Sequence, residues 1–274
     1  MQKDLNYKQR YGEWALITGA AEGIGATYCD RLAAMGMSLI LFDINADALQ
    51  QTEKKLILNY PHINIRCCVV DLADTTALNQ AIDAVAAIEI GLLIANAGIG
   101  AVGRWLEVPL ETKLTQIAVN CTSTLILAHR LTPAMVERRR GGIIIMASGS
   151  AEMGSSFIVT YAATKAFDRV FAEGLWAELG PYGIDVTTVM PGAVNTPGFR
   201  DSLPAGKQPT KLMQPVDPCV VVDAALAGLG KEINVRPSMG SGFSSIMMKL
   251  MLLFMPRKQF LAMGNKAVVD MYDR

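Results

Sequence analysis

Residues 14–25 read WALITGAAEGIG, a short apolar run ending in a threonine and then a turn holding Gly19, Gly23 and Gly25. An apolar run that feeds a glycine-rich turn, with a helical pattern from Gly23 to Met35 stopped by Gly36, is a strand–turn–helix unit. The chain then repeats that alternation. SLILFD (38–43) reads as a second buried strand, ADALQQTEKKLILN (46–59) as a helix ended before Pro61, INIRCCVVD (63–71) as a third strand and TTALNQAIDAVAAI (75–88) as a third helix. GLLIANAG (91–98) is a fourth strand running into another glycine turn. A long helical stretch covers 109–140, with Pro133 as the expected kink. GGIIIMAS (141–148) is a fifth strand, a helix holding YAATK (161–165) follows, GIDVTTVMPG (183–192) is a sixth strand, and EINV (232–235) offers a seventh.

Strands that are apolar throughout, not alternating, suit a sheet covered on both faces. Regular alternation of strand and helix gives parallel strands joined by right-handed crossovers. The expected fold is therefore α/β, a Rossmann-like doubly wound parallel sheet of about seven strands with helices on both faces, forming a single dinucleotide-binding and catalytic domain over residues 1–274. Residues 193–216, rich in Pro, Gly and polar residues, are expected to be a substrate loop, and 240–274 a C-terminal extension. Asp217-Pro218 reads as an N-cap followed by proline at the first helical position.

Composition narrows the function. Hydrophobic residues make up 51% of the 274, enough for a substantial core, and 25 basic residues balance 25 acidic ones. That balance argues against the phosphate neutralisation of a nucleic-acid binder. The five cysteines include no CxxC, so reduced thiols in a cytoplasmic protein are expected. The opening MQKDLNYKQRYGEW lacks the apolar stretch of a signal peptide. GFSSIMMKLMLLFMP (242–256) is too short to span a bilayer and is interrupted by Lys249. It reads first as a packed helix, then as an oligomer contact or a lid over an apolar ligand, and last as a membrane-surface segment flanked by Lys249, Arg257 and Lys258. His62 and His129 have no evident partner set, so no metal site is expected.

The glycine turn points to a dinucleotide. Glycines let the backbone turn sharply and approach a pyrophosphate, while the helix start offers free N–H groups and a positive dipole end. The spacing departs from GxGxxG, but the second strand adds Asp43, 24 residues after Gly19. An acid there accepts hydrogen bonds from the adenosine ribose hydroxyls and repels a 2′-phosphate. With Glu22 in the turn, this favours NAD over NADP; the alternative for Asp43 is capping the helix that follows. Candidate cofactor contacts are Gly19, Glu22, Gly23, Ile24, Gly25 and Asp43, then Asp71 and Leu72 beside the adenine, and Asn96, Ala97 and Gly98 at the end of the fourth strand.

Asn120 lies in the long helical stretch, Ser148 precedes Tyr161 by thirteen residues, Lys165 stands four after Tyr161, and PGAVNT covers 191–196. With TGAAEGIG and NAG, these residues make the chain resemble the classical short-chain dehydrogenase/reductases over residues 12–236. RYGEWALITGAAEGIG, LGKEIN (229–234) and MYDR also look like bacterial 7β-hydroxysteroid dehydrogenases and, more loosely, like 3-ketoacyl-CoA and 17β-hydroxysteroid reductases. Many members of that branch carry an arginine after strand two and use NADP, where this chain has Asp43; the common NNAG is ANAG here.

The side chains suit alcohol oxidation. A free phenol, with a pKa of about 10, is a poor base near neutrality. An ammonium on the same helical face favours the phenolate. Tyr161 is therefore the expected acid/base, Lys165 its electrostatic partner and Ser148 the donor to the substrate oxygen. The resemblance further implies that Lys165 holds the nicotinamide ribose and that Asn120 orders a relay water. It also implies that Pro191, Gly192, Val194 and Thr196 seat the nicotinamide carboxamide. Taken singly, Ser148 reads equally as a turn cap, Asn120 as a locally bonded helix residue, and Tyr161 with Lys165 as an interface pair. The resemblance implies a homodimer or homotetramer, with Phe167, Val170, Phe171 and Leu175 as candidate contact residues.

The substrate pocket is expected from Ala151 to Ile158, the loop after Pro191 and the C-terminal segment. Met153, Phe157 and Phe199 join Ser148 and Tyr161 as substrate contacts, with Leu203, Leu212, Met213 and the methionines of 247–255 nearby. Methionine-rich surfaces adapt to bulky apolar ligands. The expected function is an NAD-dependent oxidoreductase interconverting secondary alcohol and ketone on a bulky apolar substrate, steroid-like first. The alternatives are a 3-oxoacyl reductase and a non-catalytic dinucleotide-binding scaffold.

Overall fold

The computed structural model describes residues 7–203, 209, 214–237 and 254–272. Seven strands form one parallel sheet: β1 (Trp14–Thr18), β2 (Ser38–Asp43), β3 (Ile65–Val69), β4 (Ile90–Ala95), β5 (Gly141–Met146), β6 (Ile184–Val189) and β7 (Asn234–Val235). Their order is β3-β2-β1-β4-β5-β6-β7, with Leu16 registered between Ile40 and Leu93. The order reverses at β1 and β4, so the loops leaving those two strands diverge and open a crevice, the place where doubly wound sheets bind ligands.

Helices cover both faces. On one lie α2 (Gly23–Ala34), α3 (Ala46–Asn59) and α9 (Pro218–Gly228); on the other lie α4 (Thr75–Ala84), α6 (Ser123–Glu137) and α7 (Val159–Leu179). Successive strand residues enter opposite cores. Ala15, Ile17, Leu92 and Ile94 pack with Tyr28 and Leu32 of α2 and Val221 and Val222 of α9. Leu16, Leu93, Ile143 and Ile145 pack with Leu78 of α4, Leu127 of α6 and Leu179 of α7. Period-2 geometry with both faces buried is why these strands carry no polar alternation.

Several elements differ from the sequence reading. The stretch over 109–140 is not one helix kinked at Pro133. It is α5 (Leu110–Ile117), a π-helical turn over Ala118–Thr122, and α6, which contains Pro133 and ends at Glu137. The irregularity thus sits at Asn120, as π-bulges commonly do near functional residues. Strand seven is shorter than EINV, pairing only Asn234 with Thr188 and Val235 with Val189. A short helix α1 (Tyr7–Tyr11) seals the sheet's opposite end, with Tyr7 and Tyr11 buried. A Cβ on Gly142 would lie 2.9 Å from the Tyr11 ring. The expected substrate loop holds a further helix, α8 (Pro197–Ser202), and a parallel bridge from Val194 to Val216. Leu212, Met213 and the methionines at 247, 248 and 251 lie outside the described residues. The predicted cap is present: Asp217 accepts from the Cys219 amide at 2.7 Å, with Pro218 opening α9.

Candidate active site

Side-chain bonds between distant segments fix the crevice. The Thr18 hydroxyl accepts from the backbone N–H groups of Asn96 and Ala97, each at 3.0 Å. The Asn96 side-chain amide donates to the carbonyls of Thr18 at 2.9 Å and Gly19 at 3.2 Å. These bonds lock the exits of β1 and β4 together; the sequence reading missed Thr18, although it opens the glycine motif.

The glycine turn is packed to backbone distance. Gly19 and Gly23 have φ of +63° and +57°. A Cβ on Gly25 would stand 1.8 Å from the Gly19 carbonyl oxygen, and one on Gly23 would meet the Thr196 methyl at 3.0 Å. Glu22 stands at the N-cap of α2 but makes no side-chain capping bond, so first-turn N–H groups face the crevice without a protein partner from that residue. A bare helix start behind a cradle in which side chains cannot fit suits a dinucleotide pyrophosphate. Asp43 does not cap α3; that role falls to Asn45, which accepts from Ala48 N at 3.1 Å. The Asp43 carboxylate instead accepts from Ala21 N and Asn45 N, both at 2.9 Å, and so stands at the rim of the glycine turn. Asp71 is exposed and accepts from Ala73 N at 2.8 Å, while Leu72 is turned into the core.

Ser148, Tyr161 and Lys165 line one cavity of about 410 Å³, together with Ile24, Asn96, Gly98, the Pro191–Val194 stretch, Thr196 and Phe199. Ser148 ends the β5 exit and its hydroxyl accepts from Ser150 N at 3.2 Å. Lys165 is buried and donates to the Met146 carbonyl at 2.7 Å; its ammonium lies 6.0 Å from the Tyr161 ring centre. The loop leaving β4 lies flat on both: a Cβ on Gly98 would be 3.1 Å from Lys165 Nζ, and one on Gly100 would be 3.3 Å from Tyr161.

Asn120 lies behind this loop, fully buried in the π-turn. Its Oδ1 accepts from Ile99 N at 2.9 Å, and its Nδ2 donates to Ile99 O and Thr164 Oγ1, both at 2.9 Å. Both amide hydrogens are therefore used within the protein, and only Oδ1 keeps a lone pair. Lys165 also makes an unanticipated ion pair, 3.0 Å from Asp168 Oδ2. Burial opposes the Lys165 charge, but Asp168 and Tyr161 outweigh it and hold the ammonium above the ordinary lysine range. Burial pushes the neighbouring Cys121 thiol up to about 12.

Of the expected substrate contacts, Phe199 lines the cavity but Phe157 and Met153 do not. Phe157, at φ +60°, lines an adjoining cavity of about 650 Å³ that shares Val102, Ser202 and Tyr272 with the first. Met153 packs on the C-terminal helix Arg257–Tyr272, where a Cβ on Gly264 would lie 2.3 Å from its sulfur. That helix is clamped by Asn265, which accepts from Ser156 N at 2.6 Å and donates to Gly154 O at 3.1 Å. It brings Tyr272 to the cavity wall, a residue that the sequence reading noticed only as part of MYDR. Among the described residues there is no cluster of three or more His, Cys, Asp or Glu suited to a metal ion, and no helix long and apolar enough to cross a membrane.

The family model described as short chain dehydrogenase matches residues 13–205. A 7beta-hydroxysteroid dehydrogenase of Collinsella aerofaciens is 28% identical over 232 residues, covering 84% of this chain and 88% of that protein. A very-long-chain 3-oxoacyl-CoA reductase-like protein of Arabidopsis thaliana is 33% identical over 192 residues, 69% of this chain and 62% of the relative's length. Among solved structures, one described as giving structural and biochemical insights into 7beta-hydroxysteroid dehydrogenase stereoselectivity superposes with a TM-score of 0.84 at 25% identity, covering 94% of this chain and 98% of that one. A short-chain dehydrogenase from Sphingobium yanoikuyae in complex with NADPH has a TM-score of 0.77 at 28% identity, covering 87% and 94%.

Proposed function

The chain belongs to the short-chain dehydrogenase family of oxidoreductases, and from that premise we propose that it is an NAD-dependent dehydrogenase interconverting a secondary alcohol and a ketone on a bulky apolar substrate. The observation that carries this reading is the convergence of Ser148, Tyr161 and Lys165 on one cavity at the mouth of the β1–β4 crevice. The glycine turn, the N-terminus of α2 and Asp43 would hold the dinucleotide, with Pro191, Gly192, Val194 and Thr196 beside its nicotinamide end. A nicotinamide held there would supply the hydride acceptor or donor for the substrate carbon.

The protein supplies the proton chemistry. Ser148 donates a hydrogen bond to the substrate oxygen and holds it near Tyr161. Tyr161 takes the hydroxyl proton as the alcohol is oxidised and returns it when a ketone is reduced. Lys165 stabilises the negative charge that the phenol oxygen carries in between. Asn120 fixes the Ile99 loop over the site, and its remaining Oδ1 lone pair suits a water linking Lys165 to solvent. The non-catalytic scaffold reading would leave this arrangement without a purpose.

Substrate class follows from space. The two adjoining cavities, bounded by Phe199, Phe157 and the C-terminal helix, suit a rigid apolar body longer than a simple alcohol; a hydroxysteroid fits first. The 33% identity to the Arabidopsis reductase-like protein favours a 3-oxoacyl thioester as the second reading. Asp43 favours NAD, although a neighbour in the fold binds NADPH. Exposed Leu110, Leu114 and Ile117 on α5 and Val170 on α7 offer the face for a homodimer or homotetramer, and a single domain working in the cytoplasm completes the reading. The test is a panel of hydroxysteroids, aliphatic secondary alcohols and acyl derivatives followed by NADH absorbance, with Tyr161→Phe alongside. That variant keeps NADH binding and loses turnover; unchanged turnover would sink the assignment.

A further inference from the structure

Asp168 lies on α7 three residues beyond Lys165 and seven beyond Tyr161, so the three share one helical face. It is 1% exposed. One oxygen accepts from Lys165 at 3.0 Å; the other, Oδ1, is buried with no hydrogen-bond partner among the described residues. A half-satisfied buried carboxylate is a poor stabilising device, and an apolar residue would pack there at lower cost. Its one evident engagement is with the lysine of the site.

Resting on the reading of Tyr161 as acid/base, we propose that Asp168 is a positioning residue: it holds the Lys165 ammonium at the floor of the cavity as a neutral buried pair and thereby sets the pH range over which Tyr161 takes the alcohol proton. Lys165 reaches two acceptors, Met146 O at the end of β5 and Asp168 Oδ2 on its own helix. From the π-turn the facing titratable group is Cys121, and from the C-terminal helix it is Tyr272. Burial pushes both upward, so both are neutral near physiological pH, and the charge felt by Tyr161 is set by Lys165 less the opposing Asp168. On the far side Arg169 is paired with Glu173 at 3.0 Å. An opposing charge beside the ammonium weakens the pull that favours a phenolate.

Asp168→Asn keeps an acceptor for Lys165 and removes the charge; Asp168→Glu keeps the charge. The measurement is the pH dependence of kcat/KM for alcohol oxidation in both variants and the wild type, with NADH affinity and melting temperature recorded for each. The rising limb of D168N moves to lower pH by about one unit, which is about tenfold in kcat/KM at a fixed pH on the limb, while D168E stays near wild type. A D168N limb that is unmoved or displaced to higher pH, in a folded variant with wild-type NADH affinity, overturns the proposal and leaves the dehydrogenase reading intact. Turnover surviving Tyr161→Phe overturns both. Should D168N not fold, Asp168→Ser carries the same reading, with the same two outcomes.

Discussion

Gly25→Ala puts the cofactor reading under direct strain. The added Cβ would stand 1.8 Å from the Gly19 oxygen, 2.7 Å from the Gly19 carbonyl carbon and 2.8 Å from Asn96 Nδ2, where contacts under 3.0 Å are essentially never found. Two of these atoms are backbone and the third is bonded to the β1 exit, so no flexible group can yield. The first turn of α2 and the β1 turn must separate by about 1.2 Å, the shortfall between 1.8 and 3.0 Å. Overpacking of this kind costs about 1–3 kcal/mol of stability, a fall of several degrees in melting temperature. The same shift stretches a phosphate hydrogen bond from the helix start from about 2.9 to about 4 Å, beyond any useful interaction. A hydrogen bond to a charged group is worth about 1.5–3 kcal/mol, so Kd for NADH rises by at least about tenfold. The assay is titration by NADH fluorescence at a temperature where circular dichroism shows the variant folded. Gly36→Ala is the control: its φ is +79° but no atom lies within 4 Å of the added carbon. It loses about 1 kcal/mol through backbone strain and keeps NADH affinity. A G25A protein binding NADH as tightly as wild type would refute the placement of the dinucleotide on this turn.

Two further outcomes are expected. Asp43→Ala removes the acceptor for Ala21 N and Asn45 N and the charge that disfavours a 2′-phosphate, so the ratio of kcat/KM for NAD over NADP falls; a wild type that prefers NADP contradicts the premise. Asp217 is held below the usual carboxylate range, chiefly by its hydrogen bond to the backbone of Cys219. Its folded pKa being depressed, its contribution to stability is present above the ordinary value of about 3.9 and fades as pH falls through the lowered one. Asp217→Asn keeps the cap without the titration, so its melting temperature declines less steeply than wild type below about pH 4; parallel decline would remove Asp217 as a source of acid sensitivity.

The doubly wound sheet and the covering of both its faces were legible because β1, β2, β4 and β5 bury consecutive residues in opposite cores, as Ala15, Leu16 and Ile17 do. That demand leaves an unbroken apolar run in the sequence. That Ser148, Tyr161 and Lys165 would meet at one cavity was legible because one sits at a strand end and the other two share one helical face. The π-turn was not. LTQIAVNCTSTLILAH (114–129) carries an uninterrupted helical pattern, and Pro133 was the sole local signal for a break. The turn widens where Asn120 bonds Ile99 and Thr164, partners 21 and 44 residues away. Helix α1 escaped for the same reason: Tyr7 and Tyr11 look like polar-terminus residues until Gly91 and Gly142, on two strands, make room for Tyr11.

Asp168 is the most instructive omission. In sequence it reads as one charge on an amphipathic helix, since AFDRVFAEGLWAEL (166–179) carries acids at 168, 173 and 178 alike. Glu173 pairs with Arg169 on the partly exposed flank of α7, while Asp168 turns inward beneath Lys165. Period alone predicts the difference: positions 161, 165 and 168 fall on one stripe, and 173 does not. Once Tyr161 and Lys165 are taken to face the site, an acid seven residues after the tyrosine must lie under them, away from solvent. Neither helix propensity nor packing asks for a carboxylate at such a place, and the remaining reason for one is the charge of the lysine it holds.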